Sequence, residues 1–355
     1  MEDFRLATGV TTGWTRLFRF APALMEVPAQ ASADSRPNHS SAPGISRATP
    51  PSHGLRPWLI LAAVWASSGA YLAHYLYRTW YPHDEGCLAE AALRVMHGQL
   101  PHRDYIELYT GGQAYLHAFA FKVFGMQLTS MRIMLFLFFL AWVPALYFVA
   151  RELAPDWIAG LLTLLCVAWS VPNYTAAMPS WYTLFFATFG LAALMRYLRR
   201  PSPWWLLLAG LCGGLSFLIK SVALYFVGGV LVFFVYREQR VTEQDSARSA
   251  SRSWFYSAFV GLCSLAMVLA LLRLVGETGG PPEYLHFVLP GAMLATLLIL
   301  REAKAARGGD ATRFLRLFRM AAPFLAGFAV PVALFLLPYA RAGALGAWFF
   351  GIFVL

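Results

Sequence analysis

A succession of long apolar runs dominates this sequence and limits what it can fold into. Hydrophobic residues make up 59% of the 355 positions and charged residues only 13%, whereas about a quarter of a typical soluble domain is charged. A helix that crosses a bilayer needs about 20 mostly apolar residues. Such runs lie at 57–77, 131–150, 157–171, 180–197, 203–219, 221–236, 254–275, 284–300, 320–338 and 344–355. The sequence therefore predicts an all-α, polytopic transmembrane bundle of about ten spans.

The positive charges give these runs an orientation. Cytoplasmic loops retain Lys and Arg, and placing the N-terminus inside leaves most of the 28 Lys and Arg residues in cytoplasmic segments. The loop 78–130 then lies on the extracytoplasmic face, and the net charge of +10 follows largely from this bias. Because the sequence has no basic stripe interleaved with aromatic residues, we predict no nucleic-acid partner.

The first 56 residues differ from the rest of the chain. Segment 1–56 is rich in Ala, Ser, Pro and Arg and has little apolar periodicity, which is typical of disorder. We predict a disordered cytoplasmic leader over 1–56 and a transmembrane domain over 57–355. The four cysteines have no CxxC spacing, so neither a disulfide framework nor a thiolate metal site is expected.

The extracytoplasmic loop 78–130 has the pattern of two helices joined by an irregular segment. Asp84 is suited to cap a first helix over 85–97, which Gly98 would close. A second helix is predicted over 113–124. Its apolar face is expected to contain Leu116, Phe119, Ala120 and Val123. The predicted loop is therefore helical and compact, folded onto the spans.

Most candidate chemical groups lie in this loop. Asp84 and Glu85 are adjacent carboxylates at a helix start, where the helix dipole favours the ionised form. Such a pair suits a general base, or a divalent cation bound near a phosphate; a helix cap beside a solvated acid explains it equally well. His83 could also ligate a metal, but a lone histidine is more often a plain polar residue. Arg103 and Asp104 supply a second carboxylate and a guanidinium, or else a local ion pair that holds the loop.

Lys220 interrupts an apolar stretch at the predicted extracytoplasmic end of two adjoining spans. A charge at that depth is costly unless it faces water or a partner. The ammonium group suits a lipid phosphate, and the alternative is a lysine whose side chain extends to the interface without a ligand.

The order of the polar motifs resembles that of a known superfamily. DEG lies at 84–86, HGQLPHRD at 97–104 and GGQAYLHAFAFKVFG at 111–125, and GLCGGLSFLIK follows at 210–220. With these motifs the chain resembles the polytopic glycosyltransferases of the GT-C superfamily. The nearest resemblance is to the dolichyl/polyprenyl-phosphate mannosyltransferase-like proteins, which include the aminoarabinose transferases of lipid A.

The resemblance implies transfer of a sugar from a polyprenyl-phosphate donor to a lipid, glycan or protein acceptor. It implies a multi-pass protein of the bacterial inner membrane whose active site lies on the extracytoplasmic face. The residues it assigns to catalysis are Asp84, Glu85 and Asp104, and those it assigns to the donor phosphate are Lys220 and Arg103. It leaves open a divalent metal ion, with Asp84 as its first ligand and His83 as a weaker one, and implies no other cofactor.

Two further expectations come from the whole sequence. A transporter or flippase for a lipid-linked substrate is the alternative function, but such folds place charges at the midplane and contain paired repeats. Here the charges gather near the predicted interface, which favours the transferase. The chain is shorter than most proteins it resembles and stops at Leu355 within an apolar run, so we expect it to be C-terminally truncated.

Overall fold

A computed structural model describes residues 54–78, 81–245, 253–276, 279–305 and 309–354. The predicted leader falls almost entirely outside these ranges. In chain order, the helices are α1 (Arg56–Tyr75), α2 (Pro82–Met96), α3 (Gly112–Phe124), α4 (Leu128–Arg151), α5 (Asp156–Ala168), α6 (Pro179–Arg199), α7 (Pro203–Ile219), α8 (Leu224–Asp245), α9 (Trp254–Val275), α10 (Pro281–Ala305), α11 (Asp310–Arg341) and α12 (Leu345–Phe353). Within the described ranges the extended structure is confined to one isolated bridge, Pro101 to Tyr105. The predicted all-α class is confirmed.

Six of the described helical segments are long and apolar enough to cross a membrane. They are Leu128–Arg151, Asp156–Asn173, Ser221–Glu243, Trp254–Val275, Pro281–Ala305 and Asp310–Arg341. Helix α7 is apolar but has only 17 residues, and α12, in the last predicted run, has nine. A polytopic membrane protein is therefore confirmed, whereas the number of about ten spans stays a prediction.

The chain divides into two compact units. The first comprises 1–99 and 113–201. In its described part, helix α4 packs against α1, α5 and α6. Two buried hydrogen bonds cross these contacts: Trp142 donates to the Thr188 hydroxyl at 3.0 Å, and the Tyr147 hydroxyl donates to the carbonyl of Pro57 at 3.1 Å. Indole and phenol groups are thus satisfied inside an apolar bundle, where an unpaired polar group would be costly.

The second unit comprises 100–112 and 202–355, and its tightest helix pair is α7 with α11. A methyl group at Gly210 would collide with the Phe324 carbonyl, and one at Gly214 with the Phe328 carbonyl. Gly327 on α11 is equally close to the backbone of α7. Small residues four apart allow membrane helices to approach closely, so the glycines of the 210–220 motif have a packing role.

A buried ionic cluster lies at the C-terminal end of α8 in the second unit. Arg313 contacts Glu238 at 2.8 Å and Glu302 at 2.6 Å, and all three side chains are at most 7% exposed. The Arg313 guanidinium also lies 4.0 Å from the ring centroid of Tyr256. These contacts join α8, α9, α10 and α11, and each buried charge among them has an oppositely charged partner.

Two details of the predicted loop helices are wrong. Helix α2 begins at Pro82, and Tyr81 is its N-cap, so Asp84 lies within the first turn and does not cap the helix. Proline is favoured at the first helical position because its missing N–H would have no partner there. Helix α3 is present over the predicted range. Ala120 of its predicted apolar face is buried, but Phe119 and Val123 are 57% and 54% exposed. The buried face also contains Phe121 and the polar residues Gln113 and His117.

Candidate active site

Asp84 lies half-buried in the first turn of α2, in the first unit. The Tyr174 hydroxyl donates a hydrogen bond to Oδ2 of its carboxylate. Tyr174 follows a short turn, Val171–Asn173, that comes after α5. A residue ninety positions away thus reaches the carboxylate that the resemblance assigns to catalysis.

Glu85 has a different environment from its neighbour. Its side chain is fully buried and accepts hydrogen bonds from Arg132 on α4, at 2.5 Å from Nε and 2.6 Å from Nη2. Arg132 also donates to the carbonyl of Leu76 at 2.9 Å, and the Tyr81 N–H donates to Glu85 at 3.2 Å. Both oxygens of Glu85 therefore have partners within the protein. A two-point pair between a guanidinium and a carboxylate fixes orientation as well as charge.

Tyr174 is itself held on several sides. Its ring packs on the ring of Tyr81, with centroids 4.1 Å apart, and its carbonyl accepts a hydrogen bond from the Trp181 indole at 3.0 Å. The hydrogen bond to Asp84, and to a smaller degree burial, raises the pKa of Tyr174 to about 12. At neutral pH the phenol therefore keeps its proton and remains a donor.

Arg103 and Asp104 lie in the irregular segment 100–112, which belongs to the second unit. Their side chains form a two-point pair with distances of 2.8 and 2.6 Å, and Asp104 also accepts the Leu100 N–H at 2.7 Å. The hydrogen bond from Arg103, followed by that from Leu100, holds the pKa of Asp104 below its usual value. This geometry matches the local ion pair, which was one of the two interpretations of Arg103 and Asp104 from the sequence.

Lys220 is an extended residue between the end of α7 and a short turn over Ser221–Ala223. Its ammonium nitrogen lies 5.6 Å from the ring centroid of Tyr109, a distance at which a cation is attracted to an aromatic face. The next residue along the loop, Thr110, donates its hydroxyl to the carbonyl of Phe217 at 2.6 Å. The Trp348 indole donates to the Thr110 carbonyl at 3.2 Å. The loop that carries Tyr109 is therefore attached to the end of α7, close to Lys220.

The Thr-Gly-Gly sequence of this loop has a geometric reason. Gly111 has a φ of 97°, a conformation that favours glycine. A methyl group at Gly112 would lie 2.5 Å from the carbonyl oxygen of Leu218. Both glycines are therefore needed for the loop to lie against α7.

Two other ionisable groups of the segment are directed to its own backbone. His102 Nε2 lies 2.7 Å from the Tyr109 carbonyl, and burial lowers the pKa of this histidine. Glu107 accepts the N–H groups of Leu108 and Tyr109, and burial raises the pKa of its carboxyl group. These contacts shape the segment and do not by themselves indicate catalysis.

The described residues do not supply a metal site. No group of three or more His, Cys, Asp or Glu side chains is placed to hold a metal ion in the part of the chain that the structure describes. His83 is exposed, and the Asp84 carboxylate accepts a hydrogen bond from a phenol. A divalent ion with Asp84 as its first ligand therefore stays a prediction.

The predicted site residues fall into two groups. Asp84 and Glu85 are neighbours on α2 in the first unit, whereas Arg103, Asp104 and Lys220 belong to the second. Sequence reasoning missed the partners that define each group. These are Arg132, Tyr174 and Tyr109. Each contacts its candidate from a distant part of the sequence.

The apolar helices define a multi-pass membrane protein. In a comparison with protein families, the family model described as dolichyl-phosphate-mannose-protein mannosyltransferase matches residues 108–277. Lys220 lies inside the matched region, and Asp84 and Asp104 precede it. No curated protein and no solved structure matches the chain significantly. The predicted resemblance to GT-C glycosyltransferases is confirmed by this match, and the apolar helices make the chain an integral membrane protein.

Proposed function

We propose that this protein transfers a sugar from a polyprenyl-phosphate donor to a lipid, glycan or protein acceptor on the extracytoplasmic side of the bacterial inner membrane. The observation that carries the proposal is the position of Lys220 at the end of α7, beside Tyr109 and inside the matched region. A fixed cation at the end of an apolar helix suits the phosphate of a lipid whose chain lies in the bilayer.

Lys220 acts on the leaving group. When the bond between the sugar C1 and the phosphate oxygen breaks, the polyprenyl phosphate carries away the electron pair as an anion. A positive charge held near that oxygen stabilises the transition state more than the ground state. Arg103 has a supporting role, because its charge is shared with Asp104. Asp104 orients Arg103 and, with its lowered pKa, is a poor proton acceptor.

Asp84 acts on the acceptor. An acceptor hydroxyl oxygen forms the new bond to C1, and its proton passes to the Asp84 carboxylate. Glu85 is engaged by Arg132 through both oxygens, so its role is to hold the start of α2 in place. The transfer then leaves a glycosylated acceptor, a polyprenyl phosphate and a protonated Asp84, which returns its proton to water.

The proposal is tested with purified protein in proteoliposomes supplied with radiolabelled polyprenyl-phosphate sugars and an envelope extract as the acceptor source. Asp84→Asn should lower transfer by about 100-fold or more, because general base catalysis contributes about 10²–10⁴-fold. Glu90→Gln is the matched control, since it removes an exposed carboxylate of the same helix. Wild-type transfer in Asp84→Asn would rule out the assigned base.

Lys220 is tested by comparing substitutions that keep or remove its charge. Lys220→Ala should reduce transfer strongly, whereas Lys220→Arg should retain much of it, because a cation remains beside Tyr109. Equal activity of both variants would contradict a role at the phosphate. If the wild-type protein moved lipid-linked sugar across the bilayer and made no glycosylated product, it would be a transporter and not a transferase.

Orientation is tested with a native cysteine. Cys87 is exposed on α2, so a membrane-impermeant maleimide should label it from outside in spheroplasts, and Cys87→Ser should abolish that label. Labelling only after membrane disruption would place α2 inside the cell and would contradict the proposed face.

A further inference from the structure

We propose that Tyr174 is a positioning residue for Asp84, because its hydroxyl holds Oδ2 of the carboxylate and leaves Oδ1 to meet the acceptor. This inference rests on the proposed function, in which Asp84 takes the acceptor proton. Within the first unit, Tyr174 and Asp84 are both half-buried. The contact therefore lies at the edge of the packed interior, where a substrate can reach it.

The Tyr174 side chain is set before any substrate binds. The Tyr81 ring covers one side of its phenol, and Tyr81 is the N-cap of α2, the helix that carries Asp84. The backbone of Tyr174 is fixed at both ends, since its N–H donates to Val171 at 3.0 Å and its carbonyl accepts from Trp181 at 3.0 Å. A donor held by packing and hydrogen bonds presents its proton at one defined place.

The segment after Tyr174 is anchored as well. Residues 175–177 are fully buried, and the carbonyl of Ala177 accepts a hydrogen bond from the Gln113 side chain of α3 at 2.5 Å. Movement of this segment would cost the buried amide of Gln113 its 2.5 Å hydrogen bond to the Ala177 carbonyl, and losing a buried hydrogen bond is costly. The position of the phenol thus depends on α3 as well as on α2.

The chemical consequence follows from the direction of the hydrogen bond. Tyr174 donates and Asp84 accepts, so the bond is stronger when the carboxylate is ionised. It fixes the plane of the carboxylate. A carboxylate that turns freely would spend less time aligned with the acceptor hydroxyl, and misalignment lowers the reaction rate.

Activity gives the first test. Tyr174→Phe keeps the ring and removes only the hydroxyl, so kcat should fall about 10- to 100-fold while the KM for the donor stays unchanged. Tyr71→Phe, on the exposed part of α1, is the control and should change neither quantity. An unchanged kcat in Tyr174→Phe, or a loss confined to the KM for the donor, would overturn the inference.

A spectroscopic test separates this inference from the proposed function. 3-Fluorotyrosine placed at position 174 is titrated by ¹⁹F NMR in the full-length protein. Asp84→Asn should make the probe titrate at a markedly lower pH, because an amide does not oppose the phenolate, and Glu90→Gln should leave the titration unchanged. No response to Asp84→Asn would overturn the inference. A clear response in a protein that transfers no sugar would support the contact and refute the transferase.

Discussion

Breaking the buried pair between Glu85 and Arg132 should destabilise the protein by several kcal/mol. Glu85 is fully buried and Arg132 is 4% exposed, and two hydrogen bonds of 2.5 and 2.6 Å join them. Opposite unit charges about 4 Å apart attract by roughly 4 kcal/mol at an effective dielectric constant of about 20. Removal of one partner from such a pair costs about 3–5 kcal/mol, because the other charge stays buried.

The single variant to make is Glu85→Gln, which keeps the shape of the side chain and removes its charge. Its carbonyl oxygen still accepts one hydrogen bond from Arg132, so the loss should lie near the lower end of about 3–5 kcal/mol. The double variant Glu85→Met with Arg132→Met should recover part of the loss, since apolar residues of similar volume replace buried pairs at little cost. Stability is measured by titrating the purified protein in mild detergent with SDS and following circular dichroism.

The exposed pair of Glu90 and Arg94 is the control, since both side chains reach solvent. Surface pairs contribute little, so Glu90→Gln should unfold with the wild-type midpoint. If Glu85→Gln lost no more stability than Glu90→Gln, the buried pair would not be holding α2 to α4. If the double variant regained stability and still transferred no sugar, Glu85 would have a chemical role beyond the structural one proposed above.

Three further predictions concern packing, a buried hydrogen bond and pH. Gly210→Ala should cost about 1–3 kcal/mol because its methyl group meets the backbone of α11, whereas Gly228→Ala, which has open space, should be neutral or slightly stabilising in the same SDS titration. Thr110→Val leaves a carbonyl of α7 unsatisfied and should cost about 1–3 kcal/mol, and Thr296→Val, on an exposed helix face, should have no measurable effect. Burial lowers the pKa of His117 from 6.5 to about 3. As the pH falls, the imidazole is therefore protonated in the unfolded chain before it is protonated in the folded protein. Stability should fall by about 2 kcal/mol between pH 6.5 and pH 5, and a fall of the same size in His117→Gln would contradict this cause.

The helices were predictable because hydrophobicity along the chain reports directly on membrane spans and helical periodicity. The two loop helices were predicted close to their observed bounds, and proline chemistry explains the earlier start of α2. The face that α3 buries was not predictable from apolar residues alone. Gln113 and His117 are buried because the Ala177 carbonyl and the Tyr182 hydroxyl meet them there, and those partners come from distant segments.

The distribution of Lys and Arg along the chain predicted an orientation but not the role of each charged residue. Arg132 lies at the start of a predicted apolar run and Arg313 between two such runs, yet each lies buried against carboxylates. Their partners are 47 and 75 residues away in the sequence, for Glu85 and Glu238 respectively. Pairing at such distances depends on helix packing, which hydropathy does not describe. A positive residue near a span end is therefore as consistent with a structural ion pair as with a ligand site.

Asp84 and Glu85 illustrate why a motif alone cannot assign roles. They are adjacent carboxylates, and from the sequence each is equally suited to be the base. Successive side chains on a helix point about 100° apart, so the same turn of α2 directs Glu85 to Arg132 in the interior and Asp84 to Tyr174 at its edge. A carboxylate enclosed by a guanidinium is a structural anchor, whereas one that a phenol holds through Oδ2 can still accept a proton. The difference in chemistry between the two therefore comes from the residues that face them, with Arg132 beside Glu85 and Tyr174 beside the proposed base.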